Sequence, residues 1–241
     1  MANDLQKNPI RATLQTVVSE QPYNPDYFAA QVRKSDTKVA WQYGRIFALA
    51  SVVPGGRVLD IGCGAGPGLR YLTGQGITAF GIDLVSYPLL QAQRLAPSAG
   101  LVRGNAGVSL PFASASFDLL LASELIEHLP DGRPLLTECH RVLRPGGCAI
   151  ITTPNLWDVR RVFARLTGRV WSGDTDPTHI NLYTPLRLAR EMASAGFARV
   201  RWRTGIKPVV WLSSRRLRLR RSIPYPPVIG NGLLAVGEVA P

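Results

Sequence analysis

Apolar and polar residues alternate in blocks along most of this chain, and the block lengths predict its elements. After Pro54-Gly55-Gly56, residues 57–61 read as a strand and 66–74 as a helix. The same rhythm continues with a strand at 78–82, a helix around 86–95 and a strand at 100–104. A strand at 117–122, a helix around 131–143 and a strand at 148–153 follow. Repeated strand–helix alternation predicts an α/β fold, with a parallel sheet covered on both faces. Ahead of this unit, residues 1–20 read as a loosely docked arm. Residues 25–52 read as helical, with a break near Ser35-Asp36.

Beyond Pro154 the rhythm changes. Residues 156–171 predict an amphipathic helix, with Leu156, Val159, Phe163, Leu166 and Val170 on one face and arginines on the other. Gly173-Asp174-Thr175-Asp176-Pro177 predicts a loop, and 185–195 a helix closed by Gly196. Strands at 197–204 and 233–238 would form a closing antiparallel hairpin. The Pro- and Arg-rich stretch 206–230 reads as an insertion between them.

The segment Val58-Leu59-Asp60-Ile61-Gly62-Cys63-Gly64-Ala65-Gly66-Pro67-Gly68 carries the clearest chemistry. A buried strand runs into an acid, and then glycine takes every second position. Such a turn lets the backbone approach a ligand closely. A second acid, Asp83, ends the next strand-like run. The pair suits a nucleoside cofactor lying across the carboxyl ends of parallel strands, with Asp83 accepting from the ribose hydroxyls. The dinucleotide fingerprint G-x-G-x-x-G fails in every register, because its third position falls on Pro67, Leu69 or Tyr71.

Asp60 with Gly62, Gly64 and Gly66 instead resembles the first motif of class I S-adenosylmethionine-dependent methyltransferases, D-x-G-x-G-x-G. From about residue 38 onward, the chain resembles the broad group that includes the ubiquinone-biosynthesis O-methyltransferases. Residues 116–129, Leu143-Arg144-Pro145-Gly146-Gly147 and His179-Ile180-Asn181-Leu182-Tyr183-Thr184 match in order. The resemblance implies a single Rossmann-like domain over 53–241, with a seven-stranded, mostly parallel sheet. A helical cap over 1–52 and acceptor-side insertions at 156–184 and 206–230 would complete it. It also implies S-adenosylmethionine as cofactor. Gly62, Cys63 and Gly64 would line its methionine and ribose portions. Asp60 would organise the loop and reach the amino group, Asp83 would hold the ribose, and Leu84 would lie on the adenine face. Asn105-Ala106 would meet the adenine edge, with a turn as the alternative role for Asn105. Ser123 and Glu124 would lie under the sulfonium.

Methyl transfer needs an acceptor held in line, water excluded and, for a hydroxyl, a proton removed. His128 and His179 are the candidate bases. On a helix, Glu124, Glu127 and His128 would share one face, a donor set suited to a divalent metal. The same residues resemble the metal site of the ubiquinone-pathway enzymes and of small-RNA 2′-O-methyltransferases, where a later histidine, here His179, completes the set. The alternative is that Glu127 and His128 brace the turn and the active-site wall. Tyr183 reads as packing.

Composition adds the partners. A hydrophobic fraction of 46% with 18% charged residues is globular. No stretch has the length and apolarity of a membrane span, no secretory signal is visible, and the odd set of three cysteines lacks metal-like spacing. Together these predict a cytoplasmic protein with reduced thiols. The net charge of +12 is concentrated between Trp157 and Arg221, where about fifteen basic residues face about four acids. A small hydroxylated acceptor ranks first, in a pocket walled by Trp157, Phe163, Trp171, Val209, Val210, Trp211 and Leu212. A lipid-linked acceptor at an anionic membrane surface ranks second, docked through 156–171 and 207–223. Nucleic acid ranks lower because no RNA-binding motif accompanies the charge, with a protein acceptor alongside it. A non-catalytic S-adenosylmethionine-binding partner is the alternative class. Oligomeric state is left open.

Overall fold

The computed structural model describes residues 43–44, 55–171, 173–205, 209–210, 222–223 and 228–241. Of the expected N-terminal cap, only Tyr43 and Gly44 fall among them, and both are helical. Most of the 206–230 insertion, including Trp211 and Leu212, lies outside the described residues.

The alternating unit forms as its sequence pattern predicts. Its elements are β1 (Arg57–Ile61), α1 (Pro67–Gly74), β2 (Thr78–Asp83), α2 (Ser86–Leu95) and β3 (Gly100–Arg103). They continue with β4 (Phe117–Ser123), α3 (Arg133–Val142) and β5 (Leu143–Pro154). After these come α4 (Val159–Leu166), α5 (Pro185–Ser194) and β6 (Arg199–Thr204). Two short strands, β7 (Val209–Val210) and β8 (Ser222–Ile223), pair with each other, and β9 (Gly232–Glu238) closes the sheet.

The main sheet has seven strands in the order β3-β2-β1-β4-β5-β9-β6. β1 to β5 are mutually parallel, and β9 runs antiparallel to both β5 and β6. Central strands are buried on both faces, so β4 reads as an unbroken apolar run from Leu119 to Ala122. Its alternate side chains feed two cores. Phe117, Leu120 and Ala122 pack with Ile126, Leu135 and Leu136, whereas Leu119 and Leu121 pack with Val58, Leu69 and Ile150. The edge strand β6 alternates instead, with Arg199, Arg201 and Arg203 exposed.

The strand order reverses between β1 and β4. Ligands of open α/β sheets lie outside the carboxyl ends of the strands at such a point.

The amphipathic helix is shorter than 156–171. Asn155 and Asp158 capture the N–H groups that would start it earlier: Asn155 Oδ1 accepts from Trp157 and Asp158 Oδ1 accepts from Arg160, at 3.1 and 2.9 Å. Thr167 ends it by donating its hydroxyl back to the Phe163 carbonyl at 2.7 Å, followed by Gly168 at φ 66°. Its apolar face is not part of the core. Phe163, Leu166 and Val170 are 62%, 78% and 71% exposed.

Candidate active site

The glycine segment is the turn from β1 into α1, and it is held by β2. The N–H groups of Gly62 and Cys63 both donate to the Ile82 carbonyl, at 2.8 and 3.2 Å. Gly62, Gly64 and Gly66 take φ of 73°, 52° and 81°, a region that side chains with a Cβ enter at a cost. At Gly66 a Cβ would also lie 2.7 Å from that of Ala92 on α2, so this glycine sets the approach of the two helices. Cys63 turns its thiol inward, against Gly81 of β2, where a Cβ would fall 2.7 Å from the sulfur. Only its backbone remains to face a ligand.

Asp83 ties the turn to the sheet. Its carboxylate accepts from Gly64 N–H at 2.9 Å and from Val85 N–H at 3.0 Å. Burial raises its pKa, and the N–H groups of Val85, Gly64 and Leu84 pull it back. Asp60, one strand away, is 2% exposed, and its Oδ2 has no hydrogen-bond partner among the described residues. Burial, reinforced by the Asp83 charge, pushes its pKa up to about 7. Sequence reasoning passed over Tyr43. A Cβ on Gly68 would fall 2.5 Å from the Tyr43 ring and 2.7 Å from Asp60 Oδ2, so these groups converge above the turn.

Asn105 follows β3 and is committed to a turn, its Oδ1 accepting from Gly107 N–H at 2.9 Å. Ala106 is buried in the core, and Leu84 is half-buried beside Asp83. Ser123 ends β4 with its hydroxyl 2.9 Å from that of Thr152 on β5.

Glu124, Glu127 and His128 do not share a helical face. Glu124 has φ 52°, and only Ile126–His128 form a single 3₁₀ turn. Glu124 is instead anchored to β5, donating its N–H to the Thr152 carbonyl and accepting from the Thr152 hydroxyl at 3.3 Å. The left-handed residue at 124 breaks the periodicity that the expected donor set required. The groups that do converge are Glu127, His128 and His179, whose ligand atoms all lie within 4.8 Å of one another.

Glu127 is completely buried, and neither carboxyl oxygen has a hydrogen-bond partner among the described residues. The Thr153 hydroxyl lies near enough to favour the charged form yet outside bonding geometry. Burial first, then the Glu124 charge, raises the Glu127 pKa well above the carboxylate range. The Glu127 main-chain carbonyl accepts from Ile180 and Asn181, both at 3.0 Å, and so fastens the later loop. His128 Nδ1 lies 2.8 Å from the Thr178 hydroxyl and 3.2 Å from the Thr178 carbonyl. Burial and then His179 lower the His128 pKa, against Asp176 and the Thr178 and Glu124 carbonyls. His179 donates Nδ1–H to the Gly173 carbonyl at 2.8 Å, and the two imidazole rings lie 5.0 Å apart. Tyr183 is fully buried, its hydroxyl accepting from Asn181 at 3.1 Å.

The expected apolar pocket wall does not assemble among the described residues. Trp171 is buried and donates Nε1–H to Asp158 at 2.8 Å, while Phe163 and Trp157 face solvent. Thr178 and Asp176 were passed over as functional groups, although the D-x-T spacing is a recognisable turn signal.

The central part of the chain matches known proteins. Residues 59–151 match the family model described as "Methyltransferase domain". A ubiquinone biosynthesis O-methyltransferase of Dinoroseobacter shibae is 33% identical over 137 residues, covering 56% of this chain and 52% of that protein. Another, from Paracidovorax citrulli, is 38% identical over 106 residues, covering 42% and 44%. The chain thus spans about half the length of the curated relatives it matches. A SAM-dependent methyltransferase structure from Archaeoglobus fulgidus superposes with TM-score 0.62 at 19% identity, over 88% of this chain and 98% of that one. At that identity the likeness is one of fold.

Proposed function

We propose, on the premise that residues 59–151 match the methyltransferase-domain family, that this chain methylates a small hydroxylated acceptor with S-adenosylmethionine. The observation that carries the reading is the pair of buried acids at the ends of adjacent strands. Asp83 holds the glycine turn, and Asp60 presents an oxygen without a partner among the described residues. A buried carboxylate oxygen calls for a cationic or donor group, and the methionine ammonium is such a group. Asp83 uses two of its roughly four lone-pair positions on backbone N–H groups, which leaves others for a ribose diol.

The cofactor supplies a methyl already activated by its sulfonium. The protein's share is alignment, exclusion of water and proton removal. Burial lowers the His128 pKa and so favours the neutral imidazole, able to take the acceptor's hydroxyl proton. Glu127, His128 and His179 would hold a divalent cation if the reaction uses one, and the orphaned Glu127 carboxyl fits that role. Such an ion would lower the acceptor's pKa.

Calorimetric titration with S-adenosylhomocysteine tests the reading. Micromolar binding is expected for the wild type and a loss of about a hundredfold or more for Asp83→Ala, whose partners at Gly64 and Val85 would be left unpaired. Absence of binding by folded wild type would overturn it. Binding without turnover on any hydroxylated acceptor would instead favour a partner protein.

The exposed apolar face of α4 supports a second reading, an acceptor at an anionic membrane surface. Val162, Phe163 and Leu166 stand in solvent on α4, with Val170 exposed just beyond it and exposed Arg165 and Arg169 nearby. No helix among the described residues is long and apolar enough to cross a membrane. Co-sedimentation with phosphatidylglycerol vesicles, absent with phosphatidylcholine, is the expected result.

A further inference from the structure

Trp171 is 4% exposed, yet it joins neither core of the sheet. Its burial serves the loop after α4. The indole Nε1–H donates to Asp158 Oδ2 at 2.8 Å. Asp158 is itself buried at the N-terminus of α4, where Oδ1 caps the helix at the Arg160 N–H. One carboxylate thus fixes the start of α4 and a residue beyond its end. Arg161 grips the same unit from the helix. Its guanidinium carbon lies 5.5 Å from the indole ring centre, and its Nε 3.7 Å from Asp174 Oδ2.

Gly173 lies directly against the indole, and a Cβ there would fall 2.2 Å from two atoms of the six-membered ring. Its backbone is not left-handed, so space and not conformation calls for glycine. The Gly173 carbonyl in turn accepts from His179 Nδ1 at 2.8 Å. The contacts run without a gap from Asp158 through Trp171 and Gly173 to the imidazole.

We propose that Asp158 and Trp171 are positioning residues that hold His179 at the acceptor end, with the indole as platform and the Gly173 carbonyl as contact. The consequence for turnover rests on the acceptor end serving methyl transfer. The positioning itself does not.

The direction of a side chain on a loop is set by what the loop rests on. Of the α4 residues only Ala164 is buried, so the helix offers this loop no core. The Asp158–Trp171 pair supplies a rigid one. A group displaced by about 1 Å from its working position loses about a hundredfold in rate, so such a support matters to a histidine that acts on an acceptor.

The chain has three histidines, and ¹³C-histidine labelling resolves them. The His128 and His179 ring centres lie 5.0 Å apart, whereas His140 packs on Phe197. An NOE between the His128 and His179 ring protons is expected in the wild type, without any acceptor. Trp171→Leu and Gly173→Ala are each expected to abolish it, leaving the His140 shifts and S-adenosylhomocysteine affinity unchanged. Together they are expected to be no worse than Trp171→Leu alone, because the atoms that the alanine would strike belong to the indole. Trp171→Leu should lower kcat about tenfold or more with little change in acceptor KM. Trp171→Phe keeps a ring under Gly173 and loses only the bond to Asp158, so it should fall between the two. Absence of the NOE in the wild type, its persistence in Trp171→Leu, or additive damage in the double variant overturns the proposal. If Trp171→Leu also moves His140, Trp171→Phe decides: a weakened NOE with both controls intact supports the proposal, and an unchanged one overturns it. If the NOE behaves as expected but no acceptor is ever methylated, the positioning stands and the catalytic reading falls.

Discussion

The proposed cofactor end and the proposed acceptor end of the candidate site are built by different means. At the cofactor end, backbone does most of the work. Gly62, Cys63 and Gly64 N–H groups are tied to Ile82 and Asp83, all within about twenty-five residues of sequence. At the acceptor end, side chains do the work. Glu127 and His128 meet Thr178 and His179 across fifty residues, held by two N–H groups on one carbonyl. A site made of backbone tolerates exchange of most side chains but not of its glycines. A site made of side chains can be retuned one residue at a time while the sheet beneath stays the same.

That contrast is broken most severely at Gly66. A valine there must adopt φ 81° and place its Cβ within 3 Å of Ala92, in contact with α2. Strain and overpacking together should cost about 3–5 kcal/mol, read by urea denaturation, with cofactor binding lost alongside. His128→Gln makes the opposite cut. It should lower kcat by about 10²–10⁴-fold on a hydroxyl acceptor, the range for a lost general base, and leave S-adenosylhomocysteine affinity within about twofold. Equal damage to both readouts by His128→Gln would mean that the two ends are not separable.

The same contrast explains what the sequence made legible. The parallel strands announced themselves because doubly buried strands read as apolar runs, and the glycine turn because its spacing meets a local geometric need. The donor set was misassigned for a local reason as well. Offsets of three and four between Glu124, Glu127 and His128 describe a helix, but a left-handed residue at 124 turns its carboxylate back to Thr152. Nothing in the residue type at 124 signals that conformation, since glutamate rarely adopts it. His179 was legible as a candidate, whereas its meeting with Glu127 and His128 depends on a long-range loop contact that periodicity does not encode. The outward apolar face of α4 was equally hidden, because amphipathicity shows that a helix has an apolar face and not what covers it.

Asp60→Asn sharpens the comparison with an intermediate effect. The folded-state pKa of Asp60 is raised to about 7, above the ordinary carboxylate range. The folded apoprotein therefore holds a proton that the unfolded chain has already lost, and stability should fall as pH rises from about 4 to about 7. Cofactor binding has the opposite slope. Deprotonated Asp60 faces the ammonium better, so affinity should rise as pH passes upward through 7 and weaken as it falls. In Asp60→Asn both slopes flatten. Titrations at pH 6, 7 and 8 with about a tenfold rise in the wild type, against near constancy in the variant, are the expected result. A wild-type affinity independent of pH would remove Asp60 from the ammonium.

The smallest effect is expected on α4, and its smallness is informative. Leu166 is 78% exposed, so Leu166→Ser should change stability by about 0.5 kcal/mol or less. Leu121, fully buried in β4, should lose about 2–5 kcal/mol as alanine. A solvent-facing leucine beside Phe163 and Val170 adds nothing to the fold that serine would not. If Leu166→Ser keeps full stability and full turnover of a soluble acceptor but no longer sediments with anionic vesicles, the apolar face serves the membrane reading. If vesicle binding is absent in the wild type as well, the acceptor end works on soluble molecules and the arginines beside Leu166 are a solvated surface.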